Sequence, residues 1–190
     1  HGDHARYIKD FMQSGIPVYT AFETQTALEV ITGERTIALS PNKSCQIGSF
    51  TVVPFNVPHD TEIECYGYLI KHEEMGKLLF LTDLEYCKYN FSNQMVNHIL
   101  CEANYDMQFV NLDEPNYEHR LRGHMSLDTA LKFISTNDNP ALRNVVLIHL
   151  SDKSGDPALF KQKTEETVKY GSDVYVAERG LEVDMNLYPF

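Results

Sequence analysis

Side chains of the types that bind metal ions follow three separate apolar segments of this chain. His59, Asp83 and His149 each come directly after a segment rich in Val, Leu, Ile or Phe. Such short apolar runs, ended by a polar turn, are typical of buried β-strands. Because the ends of neighbouring strands meet at one edge of a sheet, we expect these three side chains to lie close together.

Residues 1–4, with the sequence HGDH, carry three more side chains of the same types, His1, Asp3 and His4. Imidazole and carboxylate groups suit zinc, and also manganese or iron, while the lack of thiolates at these positions argues against a structural zinc site. An Asp placed between histidines can bridge two cations. The pattern therefore indicates a two-metal hydrolytic centre.

Length and charge limit what the molecule can be. The 190 residues, 43% of them hydrophobic, are enough for one core, so we predict a single domain over 1–190. With 16 basic and 27 acidic side chains the formal charge is −11, which will not attract phosphate polymers by bulk electrostatics. Any nucleic acid must therefore be held by local contacts.

The four cysteines lack the close spacing of a zinc knuckle or a redox pair. A chain of this length does not need disulfides, so we expect reduced thiols and a cytoplasmic location. No apolar run approaches the roughly 20 residues of a membrane span, and we expect no membrane partner.

Strand and helix patterns alternate along the chain, which predicts the α/β (α+β) class. We predict a helix at 93–99, a long loop at 105–123 and a helix that begins after Ser126. A hairpin is predicted to close the chain, with strands at 173–177 and 181–185.

Five motifs in order extend this interpretation: HGDH at 1–4, PHD at 58–60, LTD at 81–83, GHMS at 123–126 and IHLSD at 148–152. Together they resemble the metallo-β-lactamase-fold hydrolases, above all the YycJ/WalJ-like branch of predicted nucleases and, more distantly, ribonuclease Z. The resemblance implies an αββα sandwich of two mixed sheets faced by helices.

The resemblance also implies two divalent metal ions, either zinc or the alternatives manganese and iron, that share Asp83 as a ligand. In the family the first motif is H-x-H-x-D-H, preceded by opening strands, whereas this chain begins on the second histidine. We therefore expect an N-terminally incomplete fold, lacking one histidine ligand of the first metal. That metal would be bound by His1 and His59, and the second by Asp3, His4 and His149.

Three residues are implied to take part in catalysis. His124 resembles the histidine with which ribonuclease Z-like enzymes contact the scissile phosphate and protonate the leaving oxygen, and Glu102 resembles its partner glutamate. A carboxylate favours the protonated, acidic form of a neighbouring imidazole. Asp3 is expected to orient the nucleophile, a hydroxide held between the metals.

A basic stretch precedes the second predicted helix, and we expect Arg120, Arg122 and Ser126 to contact substrate phosphate there. Asn104 and Asp106, in an Asn-Tyr-Asp turn, are expected to support the metal ligands from behind.

The sequence thus predicts a metal-dependent phosphodiesterase, with DNA or RNA as substrate. One alternative is a hydrolase of a small ester, cyclic nucleotide, thioester or lactone. Another is a non-catalytic binding subunit or one partner of a swapped assembly, because one histidine and the opening strands of the family pattern are missing. An exposed sheet edge left by missing strands would favour pairing with another chain.

Overall fold

In the described residues, the structure, a computed structural model, is a mixed α/β fold built on one seven-stranded sheet and one two-stranded sheet. It describes residues 5–27, 36–59, 64–113, 115 and 117–188, without the side chains of His119 and Arg120.

The strands of the large sheet lie side by side in chain order. From β3 to β6 neighbouring strands are antiparallel, and from β6 to β9 they are parallel. The carboxyl ends of β4, β6, β7 and β8 therefore share one edge of the sheet. The strands are β3 (Cys45–Ile47), β4 (Phe50–Val57), β5 (Cys65–His72), β6 (Gly76–Leu81), β7 (His98–Glu102), β8 (Asn144–Ile148) and β9 (Asp173–Val176).

The small sheet pairs β1 (Val18–Ala21) with β2 (Thr36–Leu39) in parallel. It packs on the large sheet through a cluster that joins Ala21 and Leu39 to Tyr66 of β5. Two short helices contact the small sheet. They are α1 (Ile8–Gln13) and α2 (Phe22–Ala27).

The other face of the large sheet is covered by two helices. Both come after the short helix α3 (Tyr117–Leu121) in the chain. Helix α4 (Leu127–Asn137) contacts β7, and α5 (Pro157–Thr167) contacts β9. The buried positions of α4 recur every three or four residues, the spacing of one helix face. They are Leu127, Ala130, Phe133, Ile134 and Asn137. Two sheets packed face to face, with helices outside them, agree with the predicted sandwich.

Two local predictions were wrong. The predicted helix at 93–99 is one turn of 3-10 helix at Ser92–Gln94, and β7 already begins at His98. The closing hairpin is absent from the described residues: β9 runs parallel to β8, and residues 181–185 form no strand.

The predicted loop at 105–123 contains a 3-10 turn at Met107–Phe109 as well as α3. The predicted helix start at Ser126 is confirmed, since the Ser126 hydroxyl oxygen accepts a hydrogen bond from the Thr129 amide. Within the described part of the chain, no helix has both the length and the apolar character needed to cross a membrane.

Candidate metal centre

Three strand ends bring acidic and imidazole side chains to the same edge of the large sheet. Glu102 is the last residue of β7, and its register partner Ile148 is the last residue of β8. Asp83 and His149 follow β6 and β8 in the left-handed backbone region, with φ of 51° and 58°. Asp and His enter this region more readily than most residues other than glycine, so the chain can turn sharply there.

Among the described residues, four side chains at this edge form a cluster of candidate ligands: Asp83, Glu102, His124 and His149. One nitrogen or oxygen atom from each lies within 4.8 Å of the others. Nδ1 of His149 is 3.4 Å from Oδ1 of Asp83 and 3.3 Å from Oε1 of Glu102. Nδ1 of His124 is 2.8 Å from the same Glu102 oxygen and 3.8 Å from Oδ1 of Asp83.

His124 reaches the cluster from the turn before α4. Gly123 has a positive φ of 78°, which glycine adopts without steric strain. Beyond His124, Met125 is fully buried, and its sulfur lies 3.8 Å from the Cys101 sulfur of β7. The buried methionine and the capping Ser126 fix the turn, so the His124 imidazole is held over the end of β7.

His59 lies beside the four-residue cluster. Its ring centroid is 6.1 Å from that of His124, and its Nδ1–H donates to the Gly123 carbonyl at 2.9 Å. A carbonyl only accepts, so this bond places the proton on Nδ1 and the lone pair on Nε2. Metal-bound histidines commonly have this arrangement.

The Glu102 carboxyl is fully buried. Burial alone would raise its pKa, but hydrogen bonding and positive charge from the imidazoles of His124 and His149 outweigh burial and hold the pKa below its usual value. The group is therefore a carboxylate at neutral pH, and it gives the edge a fixed negative charge.

Cys65 is a supporting residue that the sequence did not reveal. Its thiol donates to the Asp83 carbonyl at 3.2 Å. Burial, followed by the nearby charge of Asp83, raises the pKa of this thiol to about 11. The sulfur thus keeps its proton at neutral pH and acts as a hydrogen-bond donor.

Asn104 and Asp106 have different positions. Nδ2 of Asn104 donates to the His149 carbonyl at 2.8 Å, directly behind a candidate ligand. Oδ2 of Asp106 instead lies 2.9 Å from Nζ of Lys163 on α5. Asp106 therefore joins the loop after β7 to α5 and contacts none of the four clustered side chains in a described hydrogen bond.

The residues predicted to contact substrate are less closely tied to the cluster. Arg122 is exposed and lies 4.0 Å from Glu118, one turn earlier on α3. Ser126 uses its hydroxyl as the cap of α4. The side chain of Arg120 lies outside the described residues, as do His1, Asp3 and His4.

The donor set of the described cluster fits a divalent metal ion. It combines two imidazoles with two carboxylates, and the side chains of Asp83 and Glu102 are only 13% and 0% exposed. Buried carboxylates need a compensating positive charge, which a cation would supply. Nitrogen and oxygen donors without thiolate suit zinc, manganese or iron.

Neither the comparison with protein-family models nor the comparison with curated proteins gave a match. Solved structures do match. The metallo-β-lactamase fold protein YhfI from Bacillus subtilis has a TM-score of 0.71 and 18% identity, over 95% of this chain and 73% of that one. Igni18, a metallo hydrolase from Ignicoccus hospitalis, has a TM-score of 0.70 and 17% identity, over 96% and 75%.

A diphosphatase of the PhnP family matches with a TM-score of 0.55 and 16% identity, over 87% of this chain and 56% of the diphosphatase. All three identities are low, so the likeness concerns the backbone. Together with the sheet order and the packing of the helices, these matches show that the chain has the metallo-β-lactamase fold.

Proposed function

We propose that this chain is a metal-dependent hydrolase that cleaves phosphodiester bonds, with DNA or RNA as its substrate. The observation that carries the proposal is the 2.8 Å contact between Nδ1 of His124 and Oε1 of Glu102, next to Asp83 and His149. An imidazole paired with a carboxylate beside a candidate metal centre suits a reaction in which an oxygen leaves and must be protonated.

In this proposal Asp83, His149 and His59 would hold two divalent metal ions together with His1, Asp3 and His4. When bound, the metal would lower the pKa of water and offset negative charge on the attacked group. The Asp83 and Glu102 side chains are only 13% and 0% exposed, and such burial strengthens their electrostatic interactions.

His124 is proposed as the general acid. Its Nδ1–H is donated to Glu102, so in the protonated imidazole the second proton is on Nε2. As the P–O bond breaks, this proton passes to the leaving oxygen and the ring becomes neutral. Glu102 stays ionised, because the hydrogen bonds and positive charge of the imidazoles outweigh the effect of its burial, and it keeps the ring in one orientation.

Phosphate contacts are proposed for Arg120, Arg122 and the region around Ser126. The Arg122 side chain is 64% exposed, so its guanidinium is accessible to a substrate that covers the α3 surface. With a formal charge of −11, the molecule needs such local donors to hold a polyanion.

A small phosphate ester or anhydride is the second candidate substrate. The net negative charge favours it, because a small substrate does not need an extended basic surface. The structural neighbour described as a diphosphatase also acts, by its name, on a phosphate compound.

The test compares bis(p-nitrophenyl) phosphate, single-stranded DNA and RNA with a thioester and a lactone, each with added Zn²⁺, Mn²⁺ or Fe²⁺. We expect the phosphodiesters to be cleaved and the apparent affinity for the polymers to fall steeply as salt rises from about 50 to about 200 mM. Cleavage of the thioester or lactone alone would contradict the proposal. Cleavage of the small diester without the polymers would favour the second candidate.

A further inference from the structure

Asn104 lies where three segments of the candidate metal centre meet. Its backbone N–H donates to the Met125 carbonyl at 2.9 Å, next to His124, and its carbonyl accepts from the Ser151 amide at 2.8 Å. Its side-chain Nδ2 donates to the His149 carbonyl at 2.8 Å. One residue therefore joins the loop after β7 to the segments that carry both imidazoles of the cluster.

The bond to His149 is made at a demanding position of the backbone. His149 has φ of 58°, in the left-handed region that histidine enters more readily than most non-glycine residues but still at a cost in free energy that its contacts must offset. Immediately before it, the Ala103 amide donates to the Ile148 carbonyl at 3.1 Å. The His149 carbonyl is the next along the chain, and it accepts its hydrogen bond from the side-chain Nδ2 of Asn104. This bond continues the ladder past the end of β8, where the chain turns.

The loop after β8 folds back on itself next to Asn104. A Cβ atom added at Gly155 would lie 2.8 Å from the Ser151 carbonyl oxygen, so a larger residue would disturb this loop, and 3.5 Å from the Asn104 carbonyl oxygen, an ordinary contact distance. The loop is joined to Asn104 by the hydrogen bond from the Ser151 amide.

From these contacts we infer that Asn104 is a positioning residue, which holds His149 and His124 with their imidazoles directed at Glu102 and Asp83. The inference rests on the proposed metal site, because its purpose is to keep two candidate ligands in place before a metal binds. A donor is required at this position, since the partner is a carbonyl. Aspartate has nearly the same shape as asparagine but would place an acceptor against that carbonyl.

The experiment uses the full chain and Co²⁺ as the probe metal, titrated by visible absorption and by chelator competition. Asn104→Asp and Asn104→Ala should bind Co²⁺ about 10- to 100-fold more weakly than the unchanged protein, as expected when a residue that orients a ligand is lost. The absorption bands of the bound Co²⁺ should also change, because they report the arrangement of the ligands.

The matched control is Asn144→Ala, at the other end of β8. Asn144 is also buried, and its amide group donates to His98 Nδ1 and to the Asp184 carbonyl, both at 3.0 Å. This variant should unfold more easily yet keep the Co²⁺ affinity and spectrum. Unchanged affinity and spectrum in Asn104→Asp would overturn the inference.

If the unchanged protein bound no Co²⁺, the proposed function would fail, and metal-free crystal structures would decide the role of Asn104. In Asn104→Asp we expect His149 to leave the left-handed region and its Nδ1 to move away from Glu102. A variant with His149 still in its present position would refute the positioning role.

Discussion

Nδ1 of His124 lies 2.8 Å from Oε1 of Glu102, in a pair whose two members differ in exposure. The His124 side chain is 23% exposed, whereas that of Glu102 is 0% exposed. The imidazole is thus the member that a bound molecule can reach, and in the proposed mechanism the carboxylate acts only through the imidazole.

This relationship predicts that His124→Gln slows phosphodiester hydrolysis without removing metal. We expect kcat to fall by about 10²- to 10⁴-fold, the usual range for loss of a general acid. The measurement is kcat together with metal content. His72→Gln is the control, because His72 is the last residue of β5 and its Nε2 lies 3.0 Å from the Ser49 hydroxyl in the turn between β3 and β4. Loss of metal from His124→Gln would mean that His124 is a ligand instead.

Glu102→Gln is predicted to act through His124. Glutamine keeps the shape of the side chain but removes the charge that holds the imidazole, so kcat should fall by about 100-fold. If the two residues act as a unit, Glu102→Gln combined with His124→Gln should be no slower than His124→Gln alone. Additive losses in this double-mutant cycle would show that Glu102 acts independently of His124.

His98, the first residue of β7 and thus at the end of the strand away from Glu102, is predicted to make stability sensitive to mild acid. Burial lowers the pKa of His98 from 6.5, and the nearby Arg143 adds to this, against the opposing effect of a hydrogen bond to the Met75 carbonyl. Between the unfolded-state and folded-state pKa values of His98, the unfolded chain binds a proton that the folded chain does not. Stability therefore decreases as the pH is lowered from the unfolded-state pKa to the folded-state pKa.

The expected loss from His98 is about 1.4 kcal/mol per pH unit within that window. Urea unfolding at about pH 7.5 and about pH 5.5 tests it, because His98→Gln should show a smaller drop than the unchanged protein. Equal drops in both proteins would show that His98 does not cause the effect.

The Asp106–Lys163 pair is predicted to stabilise the loop after β7 only weakly. Burial opposes ionisation of Asp106, but the hydrogen bonds from Lys163 and Gln108 outweigh it and lower the pKa of Asp106 below 3.8. The stabilisation is therefore complete at neutral pH and is lost as the pH falls through the folded-state pKa.

Asp106→Asn should reduce the free energy of unfolding by about 1 kcal/mol at most, because Lys163 is one-third exposed and solvent screens the pair. Thermal unfolding at neutral pH and in acid gives the comparison. Glu165→Gln, which removes the more exposed pair with Lys161, is the control and should change little. An effect of Asp106→Asn that persisted in strong acid would rule out the ion pair as its source.

The positions of Asp83 and His149 at one sheet edge could be predicted because each follows an apolar segment that indicates a strand, whereas Glu102 was indicated only by the family resemblance. Buried parallel strands appear in the sequence as short apolar runs, and their carboxyl ends must meet. The approach of His124 to Glu102 could not come from periodicity, since a turn and a buried Met125 bring it there. The family resemblance alone indicated that pairing.

Other features had no local signal. The alternating residues at 181–185 suit a strand, yet the Asp184 carbonyl accepts from the Asn144 side chain and the Leu187 amide donates to the Glu74 carbonyl. These partners are distant in sequence, so no short pattern could identify them. The contacts of Asp106 with Lys163 and of Cys65 with Asp83 likewise depend on tertiary packing.

Metal binding by Asp83→Ala tests the central claim most directly. The measurement is Zn²⁺ content after equilibrium dialysis, with hydrolysis of bis(p-nitrophenyl) phosphate followed in the same samples. Asp173→Ala is the control, because Asp173 is an exposed residue at the start of β9, on the opposite edge. We predict at least one equivalent of Zn²⁺ and full activity in the unchanged protein and the control, and loss of both in Asp83→Ala. Full Zn²⁺ content and full activity in Asp83→Ala would contradict the account.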